Sequence, residues 1–203
     1  MDEKTRAVWE IVNGQASGKI FTNLVLRFSN LTNGIMSLAD FSNTDLRGSD
    51  LQQADLSGAN LLSTLLDFVD FRGAVLDDTT QLTPKIRLVW EINNQDSSGR
   101  NLAGKDLSNS FFIEANLAGA NLQTANLAFG VLLGTDLSGA NLKSARFTDT
   151  DLTGANLQNA DLTSANFSRA DLTDANLLGA TTTNTIFTGA IFNNTTMPDG
   201  TVR

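Results

Sequence analysis

The sequence contains no histidine, no cysteine and no tyrosine, and only two prolines in 203 residues. Without histidine and cysteine, no side chain can supply an imidazole or a thiolate for catalysis or zinc binding, and no disulfide can form. Most familiar catalytic mechanisms therefore lack one of the side chains that they require. The composition favours a protein that is not an enzyme and holds no cofactor and no metal.

Long hydrophobic runs are also missing, because no stretch of 18 or more residues is apolar. The segment 1–4 is too charged to begin a secretory signal, so we expect a soluble chain. The absence of cysteine leaves the redox compartment open. The cytoplasm is the default expectation, and the periplasm or thylakoid lumen is the alternative for a chain whose signal segment has been removed.

A five-residue repeat dominates the sequence that is present. From Arg100 onward a central Leu or Phe, position i, recurs every fifth residue, commonly with Ala at i−2 and Asp or Asn at i−1. Of the twenty central positions from Leu102 to Met197, eighteen are Leu or Phe. An earlier tract runs from Phe21 to Leu76 with the same spacing.

A period of five matches neither an α-helix nor a β-strand, so either element would spread the central residues around its surface. A four-sided coil instead places every fifth residue inside, with one pentapeptide on each side. Small residues at i−2 then also point inward, and polar residues at i−1, i+1 and i+2 face water. Stacked coils would pair their backbones at the spacing of neighbouring strands.

The A-(D/N)-L-x-x pattern resembles the pentapeptide-repeat family, in its cyanobacterial type with tryptophan-containing capping helices. The resemblance implies an all-β solenoid, a right-handed quadrilateral β-helix with four pentapeptides per coil and short capping helices. Twelve pentapeptides in the first tract would make three coils, and twenty in the second would make five. One column of the second tract would stack three rings, those of Phe147, Phe167 and Phe187.

The two tracts are tandem copies. The repeat phase slips by one residue between Leu76 and Leu102, and the intervening segment 85–99 matches segment 4–18 at nine of fifteen positions. We therefore predict two domains, 1–81 and 82–203, each with a capping helix and its coils.

Each duplicated segment predicts a short helix, at 3–13 and at 83–94. The second segment has apolar residues at helical spacing and a proline near its start. We expect each helix to cover the start of a tract and to hide exposed strand edges. The anchors of these capping helices, expected to be mostly buried, are Trp9 and Trp90.

Two segments imitate ligand sites. Segment 14–19 is similar to a phosphate loop but has one residue too few between its glycines and Ile20 where Ser or Thr should follow. Asp149, Asp151 and Gly154 imitate part of a calcium loop, yet the repeat itself supplies Asp at i−1 and Gly at i+2. Both patterns are better explained by turns.

The net charge of −8 disfavours direct binding to nucleic-acid phosphates and leaves a basic partner or DNA mimicry open. Ten of the 22 acidic residues lie at i−1, where Asp alternates with Asn. These side chains are expected to accept hydrogen bonds from turn backbone, which gives much of the charge a structural role.

Large apolar residues interrupt the polar outward positions on one side of the second tract. Phe111 and Ile113 flank one central residue, Val131 and Leu133 flank another twenty residues later, and Phe129 lies at the adjoining corner. Soluble monomers seldom expose such a patch without a reason. It is either covered by the helix near 83–94 or the end of the first tract, or it docks another subunit or partner.

The favoured function is a non-enzymatic structural or protein-interaction scaffold with a protein partner of unknown identity. The alternative implied by the resemblance is a DNA-mimic regulator of DNA gyrase, because some members of the family act on gyrase and give fluoroquinolone resistance. The sequence leaves the oligomeric state open, and it predicts neither nucleic-acid binding nor a membrane location.

Overall fold

A computed structural model covers residues 1–203 and contains two helices, α1 (Glu3–Val12) and α2 (Pro84–Asn94). Outside them the chain forms stacked coils joined by single-residue parallel bridges at i−1, such as Ile20 with Asp40 and Asn101 with Asn121. Bridged residues lie twenty positions apart in nearly every pair. The predicted β-helical solenoid with four pentapeptides per coil is confirmed.

Nearly every corner is built by a residue in the left-handed region. At Gly154, for example, φ is +69°, and the Ala155 N–H donates to the Leu152 carbonyl at 2.9 Å. A positive φ at the third residue is typical of a type II turn and favours Gly and Asn. Four i+2 positions depart from this preference and carry large apolar residues: Phe28, Leu38, Phe68 and Phe129.

The central residues form the core as columns of stacked side chains. The rings of Phe147 and Phe167 have centroids 4.6 Å apart and planes within 8° of parallel. Phe187 continues the column at 5.5 Å with a tilt of 30°. The predicted phenylalanine ladder is confirmed, and its spacing follows from the distance between neighbouring coils.

Most hydroxyl side chains at the inward i−2 position follow one rule. Thr150 is buried, and its Oγ1 donates to the carbonyl of Leu127, the central residue 23 positions earlier in the preceding coil, at 3.0 Å. A buried hydroxyl with a partner avoids most of the cost of desolvation. The same bond, 23 positions back, is made by Thr44, Ser49, Thr64, Thr135, Thr185 and Thr195.

Asp and Asn at i−1 hold the turns, as the sequence predicted. The Asp50 Oδ1 accepts from the Gln52 N–H at 2.9 Å, and the Asn156 Oδ1 accepts from the Gln158 N–H at 3.2 Å. Asparagines also link coils, since the Asn156 amide donates to Asp136 at 3.1 Å. Much of the acidity therefore stabilises the backbone.

The chain divides into two compact units, Met1–Asn94 and Gln95–Arg203. The sequence placed the boundary after residue 81, so the compact units differ from the duplicated units by the position of α2. In the unit Gln95–Arg203 the last coil is closed by the C-terminal residues, because Thr195 and Arg203 exchange two backbone hydrogen bonds of 3.0 Å.

In the unit Met1–Asn94, α1 covers the first coil. Asp2 is its N-cap and accepts from the Thr5 N–H at 2.7 Å. The buried residues of the helix are Ala7 and Ile11. Gly34 leaves room for this contact, because a Cβ there would lie 2.6 Å from the Ile11 side chain. The prediction of a capping helix at the start of the first tract is confirmed.

The helix α2 packs on the end of the first tract, whereas the sequence assigned it to the start of the second. Its Trp90 Nε1 donates to the Ala74 carbonyl at 2.7 Å, and its Asn94 amide donates to the Phe71 carbonyl at 3.0 Å. Leu82 and Ile86 pack against the core of the same unit. These contacts place α2 in the compact unit Met1–Asn94.

The prediction that Trp9 is mostly buried is wrong. Trp9 is 47% exposed, whereas Trp90 is partly buried. Ala7 and Ile11 define the inward face of α1, and Trp9 lies two residues from each, about 200° around the helix. Helical geometry therefore turns this side chain to the solvent.

Candidate interaction site

The five residues of the predicted apolar patch lie on adjoining coils of the unit Gln95–Arg203. Phe111 and Val131 form a parallel bridge, which places them one above the other. The Glu114 N–H donates to the Leu133 carbonyl at 2.8 Å, so the segment that carries Ile113 runs beside the segment that carries Leu133.

Phe129 is the most exposed member of the patch, at 46%, whereas the other four are partly buried. Its φ is +61°, and its N–H donates to the Thr148 carbonyl at 3.0 Å, so the backbone holds the ring at the corner of the coil. The next residue, Gly130, is buried, and a Cβ there would lie 2.9 Å from the Leu127 carbonyl oxygen. The corner thus combines a tight interior with a large outward ring.

The same side becomes polar in the next two coils. Asp151 bridges Val131 on one side and Asp171 on the other. The Asp151 Oδ1 accepts from the hydroxyl of Thr153 at 2.7 Å. The patch is therefore a local apolar surface that continues into a row of carboxylates.

The corner column changes from apolar to charged in the same direction. Below Phe129 lie Asp149 and Arg169, twenty residues apart, joined by two charge-assisted hydrogen bonds of 2.6 and 2.5 Å. The Arg169 guanidinium lowers the pKa of the Asp149 carboxyl below its usual value, first through these hydrogen bonds. The carboxylate that imitated a calcium ligand is thus paired with arginine.

Neither helix has the length and apolarity needed to span a bilayer. No cluster of three or more His, Cys, Asp or Glu side chains is placed to hold a metal ion.

A family model of pentapeptide repeats matches eight copies of its motif in this chain, over residues 25–62, 98–128, 132–169 and 165–199. The matches cover more than half of the sequence. The chain belongs to the pentapeptide-repeat family. No curated protein sequence gives a significant match.

One solved structure of a pentapeptide-repeat protein resembles this chain over nearly its whole length. HetL from the cyanobacterium Nostoc sp. strain PCC 7120, described as involved in the regulation of heterocyst differentiation, is 27% identical with a TM-score of 0.51, and the match covers 95% of each chain.

A pentapeptide-repeat protein from the thylakoid lumen of Arabidopsis thaliana is 33% identical over 53% of this chain and 71% of its own, with a TM-score of 0.30. QnrB1, described as a plasmid-mediated fluoroquinolone resistance protein, is 16% identical over 89% of this chain and 87% of its own, with a TM-score of 0.27.

A second apolar surface of this pentapeptide-repeat protein lies beside α1, where the sequence analysis did not place a site. Trp9, Val12 and Phe28 are exposed there and line a groove with Val8 and Ser29. One signal in the sequence was available, since Phe28 occupies an i+2 corner that the repeat usually gives to Gly, Asn or Ser. The exposure of Trp9 became visible only with the orientation of α1.

Proposed function

We propose that this pentapeptide-repeat protein is a non-enzymatic scaffold that binds a protein partner through the patch of Phe111, Ile113, Phe129, Val131 and Leu133. The observation that carries the proposal is the large outward ring of Phe129 next to stacked apolar residues, on a side where the next two coils carry Asp151 and Asp171. Aromatic residues are enriched in interface cores and often dominate binding energy.

The charge beside the patch indicates the kind of partner. Asp151 and Asp171 continue the same side, so a matching surface would present apolar residues followed by Lys or Arg. A regulatory role through binding is the corresponding proposal for a chain similar to HetL. The lack of histidine and cysteine supports the non-enzymatic part of the proposal.

The test replaces Phe111 and Leu133 together by serine and measures both thermal stability and association. Association is measured by a pull-down from the native source with the intact chain as bait. Unchanged melting with lost association is the expected result. The control is Ile191→Ser, which removes an exposed apolar residue at the equivalent i−1 position of the last coil.

Lost stability of the isolated chain would show instead that the patch packs within the molecule. If neither stability nor association changed, both interpretations would be wrong. A reproducible hydrolase, transferase or redox activity in purified protein would contradict the non-enzymatic role.

Regulation of DNA gyrase by DNA mimicry is the second candidate, motivated by the net charge of −8 and its regular columns of Asp. It has less support, because many of these carboxylates accept hydrogen bonds from their own turns and alternate with neutral Asn. A gyrase supercoiling assay decides the point. Absence of inhibition at micromolar protein would dismiss it.

A further inference from the structure

The groove beside α1 lies at the N-terminal end of the unit Met1–Asn94 and has a volume of about 450 Å³. Its walls include Trp9 on the helix and Phe28 on the first coil. The Phe28 side chain is 81% exposed. At its rim the Lys4 ammonium donates to the Arg27 carbonyl at 2.9 Å. The surface is therefore apolar with a positive edge.

A buried hydroxyl in this groove has no partner. Ser29 lines the groove and is only 6% exposed, and its Oγ makes no hydrogen bond. One coil further on, Ser49 occupies the same column and donates to the Leu26 carbonyl at 2.8 Å. No coil precedes Ser29, so the main-chain carbonyl that such a hydroxyl normally finds is missing.

The backbone of the next residue, Asn30, also lacks hydrogen-bond partners in a neighbouring coil. In the second coil, the Asp50 N–H donates to the Ser29 carbonyl at 3.0 Å, and the Asp50 carbonyl accepts from the Leu31 N–H at 2.8 Å. Asn30 is the equivalent residue of the first coil, and neither its N–H nor its carbonyl makes a backbone hydrogen bond. An open strand edge thus adjoins the orphan hydroxyl.

We propose that this groove binds an extended peptide segment of a partner protein, which adds a strand to the first coil. One peptide carbonyl accepts from Ser29 Oγ, and the peptide backbone pairs with the N–H and carbonyl of Asn30. A large apolar side chain lies between Trp9 and Phe28, and an acidic side chain faces Lys4. Strand addition combines backbone affinity with side-chain pockets in this way.

The proposal rests on the proposed role as an interaction scaffold but uses a different surface. A library of random heptapeptides displayed on phage is selected on the full chain and counter-selected on the double variant Trp9→Ala, Phe28→Asn. Asn is the residue at other corners with the same positive φ, such as Asn23 and Asn33, so this variant keeps the turn. Enriched peptides are expected to combine a large apolar residue with a neighbouring Asp or Glu.

A synthetic peptide from that selection is then titrated by calorimetry. Ser29→Ala is expected to weaken its binding roughly three- to tenfold, because one hydrogen bond is lost. Thr64→Val is the control, because it removes the same kind of hydrogen bond, to the Phe41 carbonyl of the second coil. It should lower stability while leaving the affinity unchanged. N-methylation of the peptide backbone at alternate residues should abolish binding.

The proposal is overturned if no peptide is enriched, if the enriched peptides bind the double variant equally well, or if Ser29→Ala binds with unchanged affinity. Self-association of the chain that is lost in the double variant would also overturn it, because the occupant would then be a second copy. The variant Phe111→Ser, Leu133→Ser should still bind the peptide. Failure of the groove and failure of the patch can thus be told apart.

Discussion

Threonine can replace alanine at the inward i−2 position because its hydroxyl finds a hydrogen-bond acceptor there. The Thr150 side chain is buried, yet its hydroxyl reaches a central carbonyl of the preceding coil because the coils are in register. The same rule accounts for Ser49, and its exceptions are Ser29 and Ser110, which both lie in first coils. Of these two, only Ser29 has no partner, since the Ser110 hydroxyl donates to the Ser108 carbonyl at 3.1 Å. A polar residue at i−2 is therefore tolerated wherever a coil precedes it.

Thr150→Val should lower the free energy of unfolding by about 0.5–1.5 kcal/mol, because it keeps the side-chain shape and removes one buried hydrogen bond. Urea unfolding followed by circular dichroism measures the change. Thr173→Val is the control, since Thr173 is less buried, and its effect should stay within about 0.5 kcal/mol. Equal effects of the two variants would contradict the rule.

Asp77 makes stability depend on pH. Its carboxylate accepts from the Thr79 hydroxyl at 2.7 Å and from the Gly58 N–H at 3.0 Å, and these bonds lower its pKa to about 2, with the Thr79 bond as the largest cause. A lowered pKa in the folded state gives stability above the unfolded value of 3.8, which is lost as the pH falls toward about 2.

The melting temperature of Asp77→Asn should therefore lie below that of the parent protein near neutral pH, and the gap should close between about pH 4 and about pH 2. Thermal melts over this range provide the measurement. Asp78→Asn, which removes the neighbouring exposed carboxylate, is the control for the change in net charge. A gap that persists at low pH would mean that the carboxylate charge is not the cause.

At the scale of elements, the two helices share sequence but differ in their environments. Trp9 points to solvent, whereas the Trp90 indole donates to the Ala74 carbonyl at the end of the first tract. Nine identical residues therefore do not give the two tryptophans equal roles. The difference arises because α1 lies over the first coil and α2 over the last coil of the same unit.

Trp90→Phe should cost about 1 kcal/mol of stability, because the phenyl ring keeps much of the packing but cannot donate the hydrogen bond. Trp9→Phe is the matched control and should stay within about 0.5 kcal/mol, since its side chain is exposed. Chemical denaturation of both variants compares them directly. Similar costs at the two positions would contradict the structural difference.

At the scale of the whole molecule, stability comes from many equivalent contacts between neighbouring coils, so the ends need covers. The unit Met1–Asn94 has its own core, which extends from Ala7 in α1 to Leu76 in the last coil. Leu82, Ile86 and Trp90 pack against that core. The boundary at Asn94 is therefore decided by packing.

A fragment of residues 1–94 should unfold cooperatively by circular dichroism, whereas a fragment of residues 1–81 should not. The shorter fragment lacks α2 and leaves the last coil of its core open to water. Equal cooperativity of both fragments would support the boundary drawn from the duplicated sequence.

The sequence by itself determined the solenoid, because a period of five with Leu or Phe at i admits one simple way to bury every central residue. It also determined the phenylalanine column and the turn-binding role of Asp and Asn, since both follow from local spacing. The apolar patch was predictable for the same reason, as residues twenty apart are stacked.

Tertiary structure alone decided the features that depend on how a helix meets a coil. The burial of Trp9 could not be read from its identity with Trp90, because burial depends on which helix face meets the core. The sequence likewise did not determine which of the two tracts α2 packs on, since both tracts have Leu-rich ends. The missing partner of the Ser29 hydroxyl was not predicted from the sequence. The residue 23 positions earlier, Arg6, lies in α1 and not in a coil, and the contacts of Ser29 depend on how that helix packs.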